Sequence, residues 1–242
     1  MDPLFLITLF VVAFLYASIG HGGASGYLAL MAVFGVETTL MKSSALTLNL
    51  FVAGIAFYSY YKGGYFKWNI LLPFALASMP AAFFGAKLSV DPTFYKISLG
   101  VCLLIAVARM LIQVTSKKSQ TSETPNFIIA LLVGGIVGFF SGMIGIGGGI
   151  ILSPLLIVFG WANLKESAAI SAGFIWLNSA TGLLGAVSSG VHLSPSIIPW
   201  VLIALFAGFL GSWSGSFKFS TVALRYVLAS VLIMASFKLF FI

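Results

Sequence analysis

Two glycine-rich stretches hold the residues of this chain best suited to binding a ligand, through backbone more than through side chains. Ile144-Gly145-Ile146-Gly147-Gly148-Gly149 has a counterpart 125 positions earlier, Ile19-Gly20-His21-Gly22-Gly23-Ala24. Both interrupt long apolar runs in which a helix would otherwise continue. Glycine is costly in a helix interior and permits backbone closed to other residues, so each stretch is expected to break its helix. A helix restarting after such a break presents unpaired N–H groups and the positive end of its dipole. Two such starts converging would hold an anion with no fixed cation, the backbone around Gly20, Gly22, Gly23, Gly145, Gly147, Gly148 and Gly149 supplying the donors. Small hydroxyls flank both breaks, Ser18 and Ser25 in one, Ser141 and Ser153 in the other. Hydroxyl and amide donors suit oxyanions such as sulfite or a sulfonate. The plainer alternative is that Gly and Ser simply let helices approach closely.

His21 is the one titratable side chain expected at depth, where it could donate to an anion or shuttle a proton near neutral pH; the alternative is a neutral ring bonded to a carbonyl. Its counterpart is Ile146, so the repetition does not require it. Thr47 and Asn49, and later Ser171 and Asn178, are polar residues in apolar settings. A buried amide needs a partner, so these residues either line a pathway beside the breaks or bond helix to helix. Trp176 lies too deep for an interfacial anchor and either walls a cavity or, the plainer reading, simply packs, whereas Trp68 and Trp161 are expected at the membrane surface. His192 falls at the end of an apolar run and reads as structural. Intramembrane charge is costly and usually functional, but Asp2, Glu37, Asp91, Glu123 and Glu166 all sit at run ends or in a polar stretch. A mid-membrane carboxylate relay is therefore not expected, nor a buried site for metal cations, which need oxygen anions at close range. Cys102 is alone, which excludes an internal disulfide. No cofactor is expected.

The elements that would position these residues are membrane helices. The chain of 242 residues is 60% hydrophobic and 7% charged, against about 25% charged in soluble domains, so it must sit in lipid. The net charge of +7 comes from Lys and Arg spread over the ends of apolar segments. That pattern is an orientation signal and not a nucleic-acid surface. The acidic start Met1-Asp2-Pro3 lacks the basic region of a signal peptide, so the first segment is expected to be retained. Apolar runs cover 3–19, 24–36, 43–61, 68–88, 93–114, 127–141, 149–160, 167–189, 195–216 and 221–242. A crossing takes about 20 residues, and runs 24–36 and 149–160 fall short. They are short tilted helices, halves of broken helices or arms of re-entrant hairpins. Irregular backbone at membrane depth is tolerated only inside protein or beside water, so the breaks must face inward.

The polar stretch 115–126 divides the chain into halves 1–114 and 127–242. At an offset of 125, Gly20, Gly22, Gly23 and Gly35 match Gly145, Gly147, Gly148 and Gly160; at 126, Gly64, Pro73 and Gly85 match Gly190, Pro199 and Gly211. The nearly constant offset points to a duplication. If the linker is cytoplasmic and each half crosses an odd number of times, the second half is inverted. Lys62, Lys67, Arg109, Lys117, Lys118, Lys165, Lys218 and Arg225 then fall inside and Lys42, Lys87, Lys96 and Lys238 outside, eight against four. Parallel halves would give six against six, so the excess of inside cations favours inversion.

On these residues the chain resembles the sulfite exporter TauE/SafE family of membrane transporters. The resemblance rests on Gly145-Ile146-Gly147-Gly148-Gly149 with Pro154 five residues on. Supporting it are the weaker copy Gly20-His21-Gly22-Gly23, the stretch from Lys165 to Ser171, and Gly85 and Gly211. It spans essentially the whole chain, departing from the usual pattern at His21 and at Ala29, where the counterpart of Pro154 would stand. It implies a two-repeat helical transporter for sulfur-containing or related organic anions, often by export. A rival motif, Gly23-Ala24-Ser25-Gly26, matches the G-x-S-G of rhomboid proteases, but the one later histidine, His192, lies at a run end.

The expectation is thus an all-α polytopic integral membrane protein of two inverted repeats with Gly-broken or re-entrant helices, set in a bacterial or archaeal cell membrane. Its function would be transport of a small sulfur-containing oxyanion, sulfite or an organosulfonate, with the lipid bilayer as its surroundings and no nucleic-acid partner. The rivals are a channel or carrier for another small solute, an intramembrane hydrolase and a non-transporting membrane subunit. The anion, its direction, the coupling ion and the oligomeric state stay open at this level.

Overall fold

The computed structural model describes residues 2–18, 23–111, 124–215 and 221–241. Ten helices account for the regular structure among them: α1 (Pro3–Ser18), α2 (Ala24–Val33), α3 (Thr38–Lys62), α4 (Trp68–Lys87), α5 (Pro92–Leu111), α6 (Phe127–Ile144), α7 (Gly149–Val158), α8 (Leu164–Ser188), α9 (Ile197–Gly215) and α10 (Thr221–Phe241). Local chemistry sets several boundaries. Asn126 accepts the Ile128 and Ile129 amides at the start of α6. Asn163 and Glu166 form a capping box at the start of α8. Four helices, in α3, α4, α6 and α8, are long and apolar enough to cross a membrane. The two short runs became α2 and α7, 10 residues each. At 1.5 Å per residue that is about 15 Å, half the hydrocarbon thickness of a bilayer.

The helices on either side of the polar stretch 115–126 have similar lengths in the same order. α2 and α7 have equal length, as do α3 and α8, 25 residues each. α2 and α7 also end alike, on Phe34 and Phe159, followed by Gly35 and Gly160 at φ 70° and 68°. The direction of the pairing can be read from contacts between α3 and α8. Gly182 lies against Leu46, Trp176 against Gly54, and Gly173 against Phe57. Numbers rise along α3 as they fall along α8, so these two equivalent helices run antiparallel. The centre of the crossing falls near Val52 and Asn178, which are themselves 126 positions apart.

The packing units differ from the sequence halves. One core joins Tyr16, Tyr27, Met31, Leu99, Leu103, Trp200 and Leu232, drawn from α1, α2, α5, α9 and α10. The other joins Leu71, Phe74, Val137, Leu152, Leu156 and Phe174, from α4, α6, α7 and α8. The halves have exchanged their fourth helices: α4 packs on α6 and α8, α9 on α1 and α3. Glycines make the exchange possible. A Cβ on Gly134, Gly138 or Gly142 would overlap the α4 backbone at Phe74, Ser78 or Ala82, so α6 and α4 lie in direct backbone contact and in parallel. Gly85 meets the Phe139 carbonyl and its counterpart Gly211 meets the Phe14 carbonyl, the same contact in both units.

Outward-facing positions carry large apolar groups, among them Ile128, Leu76, Phe84 and Phe206, as a lipid-facing surface requires. Polar contacts gather at two ends. At one, Lys67 pairs with Glu166 at 2.7 Å and Lys165 donates to the Tyr65 hydroxyl at 3.1 Å. At the other, Lys42 donates to the Ala86 carbonyl at 2.7 Å, and Lys238 reaches the Val33 carbonyl, closing the end of α2 at 2.7 Å. Two expectations change. Trp161 is no surface anchor: it is 9% exposed, stacked on Phe159 and tilted against Phe74, because the turn after α7 folds back onto α4. Trp176 is 38% exposed and stacks on Phe57 with ring centres 5.8 Å apart. Trp68, half exposed, lies where a surface anchor would.

Candidate functional site

The chain leaves α6 through a left-handed residue, Gly145 (φ 90°), whose N–H bonds back to the Ser141 carbonyl at 2.7 Å. Gly147 and Gly148 follow at φ 80° and 76°, and α7 starts at once. Three left-handed residues within four positions are affordable only with glycine. Gly23 caps α2 in the same way, at φ 67° and ψ −8° against 76° and −13° for Gly148. No side chain caps either start. The first amides of both helices, Ala24 and Ser25 in α2 and Gly149 and Ile150 in α7, therefore have no partner inside their helix.

The two starts face one cavity. Its walls include Gly23 and Ala24 from one hinge, Ile146, Gly149 and Ile150 from the other, and Ser171 from α8. The free volume is about 20 Å³, room for one water molecule and too little for an oxyanion. The walls are mostly hydrocarbon, and the polar groups that reach them are amides and hydroxyls. Buried carboxylates are absent among the described residues, where Glu37 and Asp91 are exposed and Glu166 lies at its helix start. No group of metal-binding side chains occurs among the described residues.

Behind the second hinge lies a set of buried polar side chains. The place a Cβ would occupy on Gly147 is 3.3 Å from Asn49 Nδ2, 3.4 Å from Ser179 Oγ and 2.8 Å from Ile175 Cγ2. The same construction on Gly148 meets Ser141 Cβ at 3.3 Å. Asn49, Asn178 and Ser179 are 0% exposed, Ser141 3% and Ser171 6%. Their side-chain polar atoms have no hydrogen-bond partner among the described residues. A buried group left this way costs roughly 1–3 kcal/mol, and five such side chains on α3, α6 and α8 are without a partner among the described residues.

The candidates named from sequence divide accordingly. Gly23, Gly145, Gly147, Gly148, Gly149, Ser141, Ser171 and Asn49 are gathered at the hinges, and Asn178 directly precedes Ser179 on α8, fully buried. Ser25 is buried, but its hydroxyl pairs with Tyr16 at 2.8 Å. Thr47 is satisfied locally, donating to the Ser43 carbonyl at 2.8 Å. Ser153 accepts from Ser167 at 3.1 Å. Trp176 is not among the cavity walls. Gly20, His21 and Gly22 lie outside the described residues, as does the side chain of Ser18. Ser179 and Tyr16 are additions that sequence reasoning passed over; the signal for Ser179 was its position eight residues after Ser171, on the same helix face. His192 is exposed on the α8–α9 connection while Ser25 is fully buried, which removes the basis for a serine–histidine pair.

The sulfite exporter TauE/SafE family model matches residues 4–239. A "Probable membrane transporter protein" of Sinorhizobium fredii is 35% identical over 237 residues, covering 96% of each chain. Another protein of that description, from Methanocaldococcus jannaschii, is 28% identical over 251 residues, covering 95% of this chain and 92% of its own. No solved structure matches the chain.

Proposed function

The chain belongs to the sulfite exporter TauE/SafE family, and from that membership we propose that it carries a small sulfur-containing oxyanion, sulfite or an organosulfonate, out across the cell membrane. The observation that carries the reading is the shared cavity: two uncapped helix starts, one from each repeat, border the same space. Their amides offer neutral donors backed by two helix dipoles, which is how an anion is held without a fixed cation. The antiparallel run of α3 and α8 supports an inverted relation between the halves 1–114 and 127–242, joined through 115–126. Substrate sites of inverted-repeat carriers lie at the repeat interface, built from broken helices.

In this mechanism the amides near Gly22, Gly23, Gly147 and Gly148 are assigned to the anionic head, with that of Gly149 beside them. Ser171 and Ser141 add donors on one side; Ser18, Ser25 and His21 are assigned to the other. The cavity admits one water, so the substrate binds only as the hinges part, and access alternates as one set of helices rocks on the other. The energetics favour efflux. A negative interior drives an anion outward by about 2.3 kcal/mol per charge per 100 mV, which asks for neither a coupling carboxylate nor ATP. Purified protein in proteoliposomes should exchange radiolabelled sulfite against internal sulfite in a saturable way, and Gly147→Leu should abolish the exchange. Equal exchange by both proteins would remove the hinges from the mechanism, and flux that never saturates would make the protein a channel.

A further inference from the structure

We infer that Asn49 and Asn178 select substrates that bring a hydrogen-bond donor of their own, a hydroxyl or amine beside the anionic head. The inference rests on the oxyanion reading above and narrows it. An anion held by helix starts and hydroxyls needs donors alone, because its oxygens only accept. The buried region by the second hinge offers more than that. Each asparagine has both its amide nitrogen and its amide oxygen without a partner among the described residues. Exchanging N and O in either side chain leaves the count unchanged: two NH2 groups and two carbonyl oxygens. A bare sulfonate could engage the NH2 groups and would leave both carbonyl oxygens unmet. A hydroxysulfonate, an aminosulfonate or hydrogensulfite meets an acceptor as well.

Placement ties the amides to the hinge. Asn49 Nδ2 lies 3.3 Å from the point where Gly147 would carry a Cβ, and Ser179 Oγ lies 3.4 Å from it. Between these groups and the cavity stands Ile175, which touches Gly147 and Gly149 and is also a cavity wall. Asn178 precedes Ser179 at the centre of the α3–α8 crossing and is 0% exposed. Parting of the hinges at Gly147 therefore joins the amide region to the cavity. A side chain serving only to tie helices together would be bonded across them, as Tyr95 is to the Ile144 carbonyl at 2.9 Å; Asn49 and Asn178 make no such bond.

Isethionate and ethanesulfonate differ by one hydroxyl and isolate the effect. In proteoliposomes exchanging radiolabelled sulfite, isethionate should compete at least tenfold better than ethanesulfonate, a gap of about 1.4 kcal/mol. Sites built to bond a hydroxyl discriminate strongly against the analogue that lacks it. In Asn49→Leu the ratio should fall toward one as isethionate weakens. The variant should elute as monodisperse protein, because replacing an unmet polar group by hydrocarbon of similar shape is close to neutral for folding. Asn178→Leu provides the same reading should Asn49→Leu aggregate. Equal competition by the two sulfonates in the wild type overturns the inference and leaves the carrier standing. A wild-type ratio that survives in both variants overturns the assignment to these residues. Absence of exchange with sulfite and with both sulfonates overturns the oxyanion reading itself.

Discussion

Gly147 concentrates the demands that the hinge makes on a single position. Its φ of 80° strains any other residue, and a Cβ would meet Ile175 Cγ2 at 2.8 Å. Gly147→Ala should cost about 1–3 kcal/mol and reduce sulfite flux at least tenfold, read by thermal melting in detergent and by proteoliposome exchange. Gly182→Ala is the contrast: its Cβ would rest 3.4 Å from Leu46 in a regular helix, so melting should hold or rise by up to about 1 kcal/mol with flux unchanged. Much of this was legible beforehand, since only glycine tolerates such backbone and its spacing recurs. Asn49 and Asn178 stood out because amides are rare in apolar runs. Ser179 did not, since a serine in a Gly-rich helix reads equally well as a small packing residue. Thr47 looked free because sequence cannot show a hydroxyl bonding back to the carbonyl four residues earlier.

At the scale of elements, the two half-length helices followed from run length against bilayer thickness. Their environments did not. α2 is buried from Ala24 to Ala32, whereas Val158 and Phe159 at the end of α7 are mostly exposed. The exchange of α4 and α9 was equally hidden, because it depends on which helices find each other and not on any local pattern. Its trace in the sequence is the pair Gly85 and Gly211, whose role is close approach to a carbonyl. Gly85→Leu and Gly211→Leu drive Cβ atoms into the Phe139 and Phe14 carbonyl oxygens. Both should lower the melting temperature substantially and by similar amounts, while Gly135→Leu, where the nearest atom is 3.8 Å away, should change it little. Unequal losses at 85 and 211 would argue against equivalent roles.

For the whole molecule, composition settled the membrane setting and the excess of cations on one side, eight against four, pointed to inversion. The fold adds an antiparallel pairing that agrees with an inverted relation: α8 begins beside the end of α3, with Glu166 on Lys67. In a Cys102→Ala background, Lys62→Cys sits at the last residue of α3 and Ser189→Cys just after α8. A membrane-impermeant maleimide should label them from opposite sides of sealed vesicles; labelling from the same side would make the repeats parallel. The two units are nonetheless not copies at the hinge. Asn49 and Ile175, 126 positions apart, both flank Gly147, one an amide and the other a branched alkane. A carrier of two identical units would rest with equal ease facing either compartment. In the proposed mechanism the amide opposite an alkane at Gly147 breaks that equality, so the unloaded carrier is expected to favour one compartment at rest.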